Sequence, residues 1–347
     1  MTWIAVIGTG TWARVHLAAL RHSPYVSGVV LAGRNRDALG KLADEFDIVQ
    51  QTTTELADIW ENECVEIVDV VLPHHLHAQT SLSALQAGKH VICEKPGALQ
   101  LADFDRMAAV AQSSGRRLLI VMNQLYNPVH QRIRDLVDEG ALGRVFLLAE
   151  TRFGRHDRDY RDPDTWRTRL ATAGGGVLID GGYHMIYKHL YWLADVGQPQ
   201  WILGDASQLA VGSTGQPVVE QGEDFVCYTI GFDVPLRIAS SHAWTLAKDP
   251  LRPHQCLLAG TSGSLDVTDD DAPLRLNSAN GEQIIEVTSP VGRTGTLEAC
   301  LLDYIKCLHE DRQPQYGSLT LARQTLQIIQ GIYESARTGR RVSLGDA

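Results

Sequence analysis

The sequence predicts an α/β protein of two domains, a doubly wound parallel sheet followed by an α+β domain with a large, open and mostly antiparallel sheet. Three observations support this. Apolar runs alternate with helical spacing up to residue 123, strand-like runs joined by short turns follow, and 347 residues exceed the roughly 250–300 at which one core usually stops growing. We assign residues 1–123 to the first domain and 124–347 to the second.

In the first domain, short β-branched runs alternate with segments of helical period. Parallel neighbours need crossover connections, so this alternation predicts a parallel sheet with helices on both faces. The predicted strands are residues 2–8, 28–34, 65–72, 90–95 and 117–123, and the predicted helices are 11–23, 36–47, 77–88 and 101–115.

The second domain is predicted from runs with strand character at residues 144–153, 225–232, 236–244, 254–260, 263–269, 274–279 and 282–288. We expect a helix from Gly182 and helices at 296–310 and 318–339 to cover one face of this sheet. The other face carries apolar residues in alternation, which predicts a homodimer or homotetramer formed through it.

Composition excludes several kinds of partner. A formal net charge of −10, with 44% hydrophobic and 21% charged residues, indicates a globular protein and argues against nucleic acid or an anionic membrane, which leaves small molecules. Six widely spaced cysteines without a CxxC pair favour reduced thiols over disulfides or a metal. Because the chain has no basic leader and no long apolar segment, we expect a cytoplasmic protein.

The first predicted strand ends in a glycine turn that matches G-x-G-x-x-A. Gly8 allows the tight turn, and Gly10 lets backbone amides approach a pyrophosphate at the helix N-terminus. Any tight strand-to-helix connection needs glycine, but the position at the first strand favours dinucleotide binding. The predicted contacts are Gly8, Thr9, Gly10, Thr11, Trp12 and Ala13.

The end of the second strand bears on the choice between NAD and NADP. An acidic residue there would bind the ribose hydroxyls of NAD, but Gly33 stands at that position, followed by Arg34, Asn35 and Arg36. A small residue beside two cations suits a 2′-phosphate, so we expect NADP, with NAD as the alternative. In the competing interpretation both arginines are solvated residues at the start of the next helix.

Glu94, Lys95 and Pro96 follow a buried strand at the sheet edge where doubly wound proteins bind ligands. Pro96 restricts Lys95 to extended backbone. The competing interpretation is a structural ion pair between Glu94 and Lys95. The preceding strand ends at the same edge, so further cofactor contacts are expected from Leu72, Pro73, His74 and His77. No other ligand recurs at metal spacing near these histidines, and we expect no metal site.

Asp180 and His184 stand four residues apart after three glycines. On a helix this spacing places both on one face, where a carboxylate can hold the tautomer of a histidine used in acid–base chemistry. The competing interpretation is an ordinary packed or surface histidine.

Together these motifs resemble the Gfo/Idh/MocA oxidoreductases. The resemblance rests on IAVIGTGTWARVHLAAL, on VVLPHHLHAQTSLSALQAGKHVICEKPGAL and on GGGVLIDGGYHMIYKHLYWL. It implies a Rossmann domain before an α/β domain with a large sheet, a cis Lys95–Pro96 peptide, and hydride transfer between a nicotinamide and a sugar or cyclitol carbinol. It also implies catalysis by Lys95, Asp180 and His184.

Within that resemblance we assign His184 as the general base in the oxidative direction and Asp180 as its orienting partner and a substrate ligand. Lys95 is the cation on the reacting oxygen or a proton relay. Asn123 matches the family pattern as a cofactor contact, whereas Gln124 and Leu125 replace an arginine pair that is common there.

Residues 152–176 form a polar, arginine-rich segment. It is either a solvated loop, or a loop from which Arg155, Tyr160, Trp166 and Arg167 approach the hydroxyl groups or a phosphate of the substrate. The glycines at 174–176 either let the backbone pass close to a ligand or form a turn.

The sequence thus predicts an oxidoreductase that transfers a hydride between NADP and a secondary alcohol or ketone of a sugar, sugar derivative or cyclitol. Two alternatives stay open. One is a dinucleotide-binding regulator without turnover, and the other is an enzyme that retains its cofactor and processes glycosides through transient oxidation.

Overall fold

The computed structural model describes residues 2–154, 165–167, 169–209, 221–244, 246, 253–267, 273–288 and 292–345. The strands are β1 (Thr2–Ile7), β2 (Val26–Ala32), β3 (Val49–Thr53), β4 (Val65–Val70), β5 (His90–Cys93), β6 (Leu118–Ile120), β7 (Val145–Phe153), β8 (Pro199–Ser207), β9 (Phe225–Phe232), β10 (Arg237–Ala243), β11 (His254–Gly260), β12 (Gly263–Val267), β13 (Leu274–Ser278), β14 (Gly281–Ile285) and β15 (Val342–Ser343).

The α-helices are α1 (Thr11–Leu20), α2 (Arg36–Glu45), α3 (Ala57–Trp60), α4 (His74–Gln86), α5 (Leu101–Ser114), α6 (Pro128–Asp138), α7 (Leu170–Ala173), α8 (Tyr183–Trp192), α9 (Gly292–His309) and α10 (Leu319–Thr338). A 3₁₀ turn spans Asn123–Tyr126, and a π turn spans Leu178–Gly182. In the described part of the chain, no helix combines the length and the apolar character needed to cross a membrane.

The chain divides into two compact units. The first contains Met1–Tyr126 and Val291–Arg323, and the second contains Asn127–Pro290 and Gln324–Ala347. The sequence pattern assigned every residue after 123 to the second domain, whereas residues 291–323 group with the first unit.

The first unit holds a parallel sheet in the order β3-β2-β1-β4-β5-β6. The prediction of a doubly wound parallel sheet is confirmed, and the strand order reverses between β1 and β4, where such sheets bind ligands. Strand β3 is absent from the sequence prediction because VQQTT has only one fully buried residue, as is common at a sheet edge.

Helix α9 belongs to the core of the first unit. Leu297, Cys300, Leu301 and Tyr304 are buried against residues of α1 and the parallel sheet, and the Tyr304 hydroxyl donates a hydrogen bond to the carbonyl of Ile120 at 2.8 Å. The expectation that this helix covers the antiparallel sheet was therefore wrong. An amphipathic period predicts that a face is buried but does not identify the surface that buries it.

The second unit holds a mixed sheet in the order β14-β13-β12-β11-β7-β10-β9-β8-β15. Neighbours pair antiparallel except β7 with β10, which run parallel, so the predicted open and mostly antiparallel sheet is confirmed. The prediction missed β8, whose burial does not alternate regularly.

Candidate functional site

The glycine turn after β1 has the geometry of an anion cradle. Gly8 has φ +141°, and a Cβ built there would lie 2.1 Å from the carbonyl oxygen of Val71, so only glycine fits. Gly10 is the N-cap of α1, and no described side chain caps it. A Cβ on Gly10 would have nothing within 4 Å, so there is open space beside the start of α1, whose first turn includes Thr11, Trp12 and Ala13.

The end of β2 presents a small residue and two arginines. A Cβ on Gly33 would lie 2.6 Å from Thr9 Cγ2, so glycine keeps this strand end close to the turn. Arg34 and Arg36 are exposed and have no ion pair among the described residues. Asn35, which was predicted to contact the cofactor, accepts a hydrogen bond from the Ala38 amide at 3.1 Å through its side-chain oxygen and caps α2.

Lys95 lies at the carboxyl end of β5, 6% exposed. Its backbone amide donates to Glu94 Oε2 at 3.1 Å, and the Lys95–Pro96 peptide is cis, as the family resemblance implied. Gly8, Leu72 and Lys95 follow β1, β4 and β5, which are adjacent parallel strands. The predicted cofactor turn and the predicted catalytic lysine therefore share one edge of the sheet.

Sequence reasoning missed a buried histidine behind this edge. His16 Nδ1 lies 2.7 Å from Asp69 Oδ2, and His16 Nε2 lies 3.1 Å from Glu94 Oε1. Burial alone would lower the pKa of His16, but the two carboxylates outweigh it and raise that pKa to about 10. The imidazolium holds Glu94, whose other oxygen binds the Lys95 amide. The only local signal was a histidine among the apolar positions of α1.

His77 was predicted to contact the cofactor, and the structure gives it another role. Nδ1 lies 2.7 Å from the carbonyl oxygen of Pro96, and Nε2 lies 2.7 Å from that of Leu72. Burial lowers the pKa of His77. Its ring lies between the backbone carbonyls that follow β4 and β5, and as a neutral imidazole with one N–H it donates to one of them. His74 is also buried, with its ring centroid 5.7 Å from that of His77, and Pro73 is the N-cap of α4.

Asn123 begins the 3₁₀ turn after β6 and is 7% exposed. Its Nδ2 donates to Thr296 Oγ1 of α9 at 3.3 Å. Asn123, the predicted cofactor ligand, is therefore oriented by a residue about 170 positions later in the chain. The sequence did not indicate this hydrogen bond to Thr296.

In the second unit, Asp180 lies in a π turn and not in the α-helix that its spacing predicted. π turns are common at functional sites. Arg167 Nη1 donates to Asp180 Oδ2 at 3.1 Å, and the Arg167 guanidinium stacks 4.6 Å from the Trp166 ring centroid. Arg155 and Tyr160, also predicted to approach the substrate, lie outside the described residues.

His184 lies in the first turn of α8. Its Nδ1 is 2.8 Å from the hydroxyl of Tyr187, which is fully buried. The sequence interpretation gave the orienting role to Asp180, whereas the structure places the Tyr187 hydroxyl on Nδ1. A tyrosine three residues after a helical histidine was the available signal.

Glu223 is a second residue that the sequence did not indicate. Oε2 accepts from the Gly176 amide and Oε1 from the Leu178 amide, both at 2.9 Å, and the Tyr333 hydroxyl donates to Oε1 at 3.0 Å. Burial raises the pKa of this carboxyl. A Cβ on Gly176 would lie 1.7 Å from the Glu223 carbonyl oxygen, so this glycine lets two backbone segments approach. Glu223 thereby anchors the π turn that carries Asp180.

Comparison with known proteins identifies both parts of the chain. Residues 3–122 match the model of the oxidoreductase family with an NAD-binding Rossmann fold, and residues 130–266 match the GFO/IDH/MocA C-terminal domain.

Among curated relatives, levoglucosan dehydrogenase of Pseudarthrobacter phenanthrenivorans is 27% identical over 200 residues, 55% of this chain and 51% of that protein. D-apiose dehydrogenase of Paraburkholderia graminis is 25% identical over 352 residues, 98% of this chain and 89% of that protein. A solved structure of levoglucosan dehydrogenase with NADH and levoglucosan superposes with a TM-score of 0.87 at 22% identity and covers 99% of this chain and 100% of its own.

Proposed function

The chain belongs to the Gfo/Idh/MocA oxidoreductase family, and we propose that it is a nicotinamide-dependent dehydrogenase acting on a secondary alcohol of a sugar, sugar derivative or cyclitol. The main support for this proposal comes from the sheet edge of the first unit. There a glycine turn with open space beside Gly10 follows β1, and the buried Lys95 follows β5, with β4 between these two parallel strands. The dehydrogenases named among the relatives support the substrate class.

The residues fit a dinucleotide. Gly8 leaves no volume for a side chain, and the α1 N-terminus offers amide donors to a pyrophosphate. When bound, the nicotinamide exchanges a hydride with the carbinol carbon.

In the proposed reaction His184 accepts the hydroxyl proton at Nε2, because the Tyr187 hydroxyl occupies Nδ1 at 2.8 Å. Lys95 stabilises the developing alkoxide as an ammonium, since a positive charge gains most where negative charge appears. Asp180, kept as a carboxylate partner of Arg167, accepts a hydrogen bond from a neighbouring substrate hydroxyl.

The test is nicotinamide absorbance with purified enzyme and a panel of monosaccharides, anhydrosugars and inositols. We expect turnover on at least one compound, with kcat/KM lowered about 10²–10³-fold in Lys95→Met and about 10²–10⁴-fold in His184→Asn. The exposed Lys41→Met, on α2, is the matched control. Cofactor binding without turnover on every compound would favour the regulator, and product formation without net cofactor change would favour glycoside processing.

We propose NADP as the preferred cofactor. Gly33 offers no carboxylate to the adenosine ribose, and exposed Arg34 and Arg36 are available to a 2′-phosphate. Arg34→Gln should raise KM for NADP about tenfold and leave KM for NAD within twofold, since only NADP carries the phosphate. A wild-type enzyme with lower KM for NAD would contradict this proposal.

We propose that the protein is a homodimer or homotetramer through the sheet face opposite the side chain of Glu150. Leu147, Leu203 and Leu257 lie on that face by strand alternation, and Leu203 is 48% exposed. Light scattering after gel filtration should give two or four chains, and Leu203→Asp should lower the mass. A monomeric wild-type protein would contradict it.

A further inference from the structure

The second unit buries a set of nitrogen, oxygen and sulfur ligand atoms that the proposed reaction does not use. Glu150 lies on β7, and its cross-strand partners are Ser240 on β10 and Cys256 on β11. Alternate residues of a strand share a face, so His242 and His254 lie on the same side as Glu150. Helix α8 adds His189, which is fully buried.

The possible ligand atoms of this cluster lie close together, and two of them lack a hydrogen-bond partner among the described residues. His189 Nε2 is 3.0 Å from Glu150 Oε2, yet neither atom meets hydrogen-bond geometry with any described partner. One ligand atom from each of Glu150, His189 and Cys256 lies within 4.8 Å of the other two. His242 Nε2 is 3.6 Å from the same carboxylate oxygen, too long for a hydrogen bond.

We propose that Glu150, His189, His242 and Cys256 bind one zinc ion in the second unit. Zinc takes tetrahedral nitrogen, oxygen and sulfur ligands at about 2.0–2.3 Å, which sets neighbouring ligand atoms about 3.3–3.7 Å apart. A set with thiolate and imidazole favours zinc over magnesium or calcium. This goes beyond the proposed function and departs from the sequence expectation that the chain holds no metal.

The surroundings complete the site. His254 Nε2 lies 2.8 Å from Glu150 Oε1, so it orients the carboxylate while Oε2 faces the metal position. Ser240 Oγ lies 2.9 Å from His242 Nε2, a contact that the ion replaces. The metal would tie β7, β10 and β11 to α8, the helix that carries His184. It would therefore hold the proposed base in place without touching the substrate.

The test measures metal content, not activity. Protein expressed with zinc and passed through metal-free buffer should carry about one zinc per chain by mass spectrometry. Cys256→Ser and His189→Gln should lower that content at least tenfold. Cys227→Ser should leave it unchanged, because Cys227 pairs with Ser241 and lies on the opposite sheet face.

The chelated wild-type protein gives a second measurement that does not depend on a variant folding. Cobalt added to it should produce a thiolate-to-cobalt charge-transfer band, also in the Cys227→Ser background. Zinc retained equally by Cys256→Ser and His189→Gln would overturn the proposal. A wild-type protein that neither retains zinc nor develops the cobalt band would also overturn it.

Discussion

Among the described residues, each unit buries a cluster of carboxylates and imidazoles, and these two clusters have opposite composition. In the first unit one imidazole, His16, lies between two carboxylates, Asp69 and Glu94. In the second, one carboxylate, Glu150, lies among three imidazoles.

The difference determines the charge that each cluster holds. Burial lowers the pKa of His16, but its two carboxylates raise it to about 10. Burial raises the pKa of Glu150, but His189 and its neighbours bring it well below the usual range, while burial lowers the pKa of His189. The residue type in the minority thus keeps its charge, an imidazolium in the first cluster and a carboxylate in the second.

The largest expected effect comes from removing the imidazolium. His16→Gln removes the cation between the buried Asp69 and Glu94, so we expect the free energy of unfolding to fall by about 3–5 kcal/mol in urea denaturation. His22→Gln is the control, since His22 forms an exposed ion pair with Glu298 and its loss should cost at most about 1 kcal/mol. Equal losses in both variants would contradict the comparison.

pH probes the same ion pair without a mutation. Because the pKa of folded His16 is about 10 and the unfolded value is 6.5, its stabilisation is complete below pH 6.5 and is lost as pH rises towards 10. Raising pH from 6.5 to 9 should remove about 3 kcal/mol from the unfolding free energy of the wild type. The gap between wild type and His16→Gln should narrow by the same amount, and a constant gap would refute the charged state of His16.

Removing the carboxylate of the second cluster should have a smaller effect on the protein measured without metal. Glu150→Gln replaces the carboxylate whose Oε1 lies 2.8 Å from His254 Nε2, so we expect a loss of about 1.5–3 kcal/mol in urea denaturation with chelator present. Glu282→Gln, in an exposed pair with Arg275, is the control. A loss exceeding that of His16→Gln would reverse the ranking of the two clusters.

The smallest expected effect is on catalysis and concerns the orientation of His184 on α8, the helix that packs over the second cluster. Tyr187→Phe removes the hydroxyl on His184 Nδ1, so kcat/KM should fall about tenfold and the pH profile should shift as the imidazole loses its orienting partner. Tyr191→Phe, on the same helix, keeps the ring that Arg134 stacks over and should leave both unchanged. An unaltered pH profile in Tyr187→Phe would mean that Tyr187 only fills space.

The sequence determined the features whose signals are local. Gly8 and Gly10 between a strand and a helix predicted the anion cradle, and the alternation of periods predicted the parallel sheet. Each of these depends on residues within one turn or on the period of one element, and that is information a single sequence carries.

Tertiary structure alone decided which distant residues meet. His16 reaches Asp69 and Glu94 across 53 and 78 residues, and Glu150 meets His254 across 104. Such contacts depend on the register of strand pairing and on which surface buries an amphipathic helix, as the position of α9 illustrates. Neither can be read from local composition or spacing. The glycine turn and the sheet edge of the proposed site can therefore be predicted from the sequence. The buried ion pairs that support them form only when distant residues meet in the folded protein.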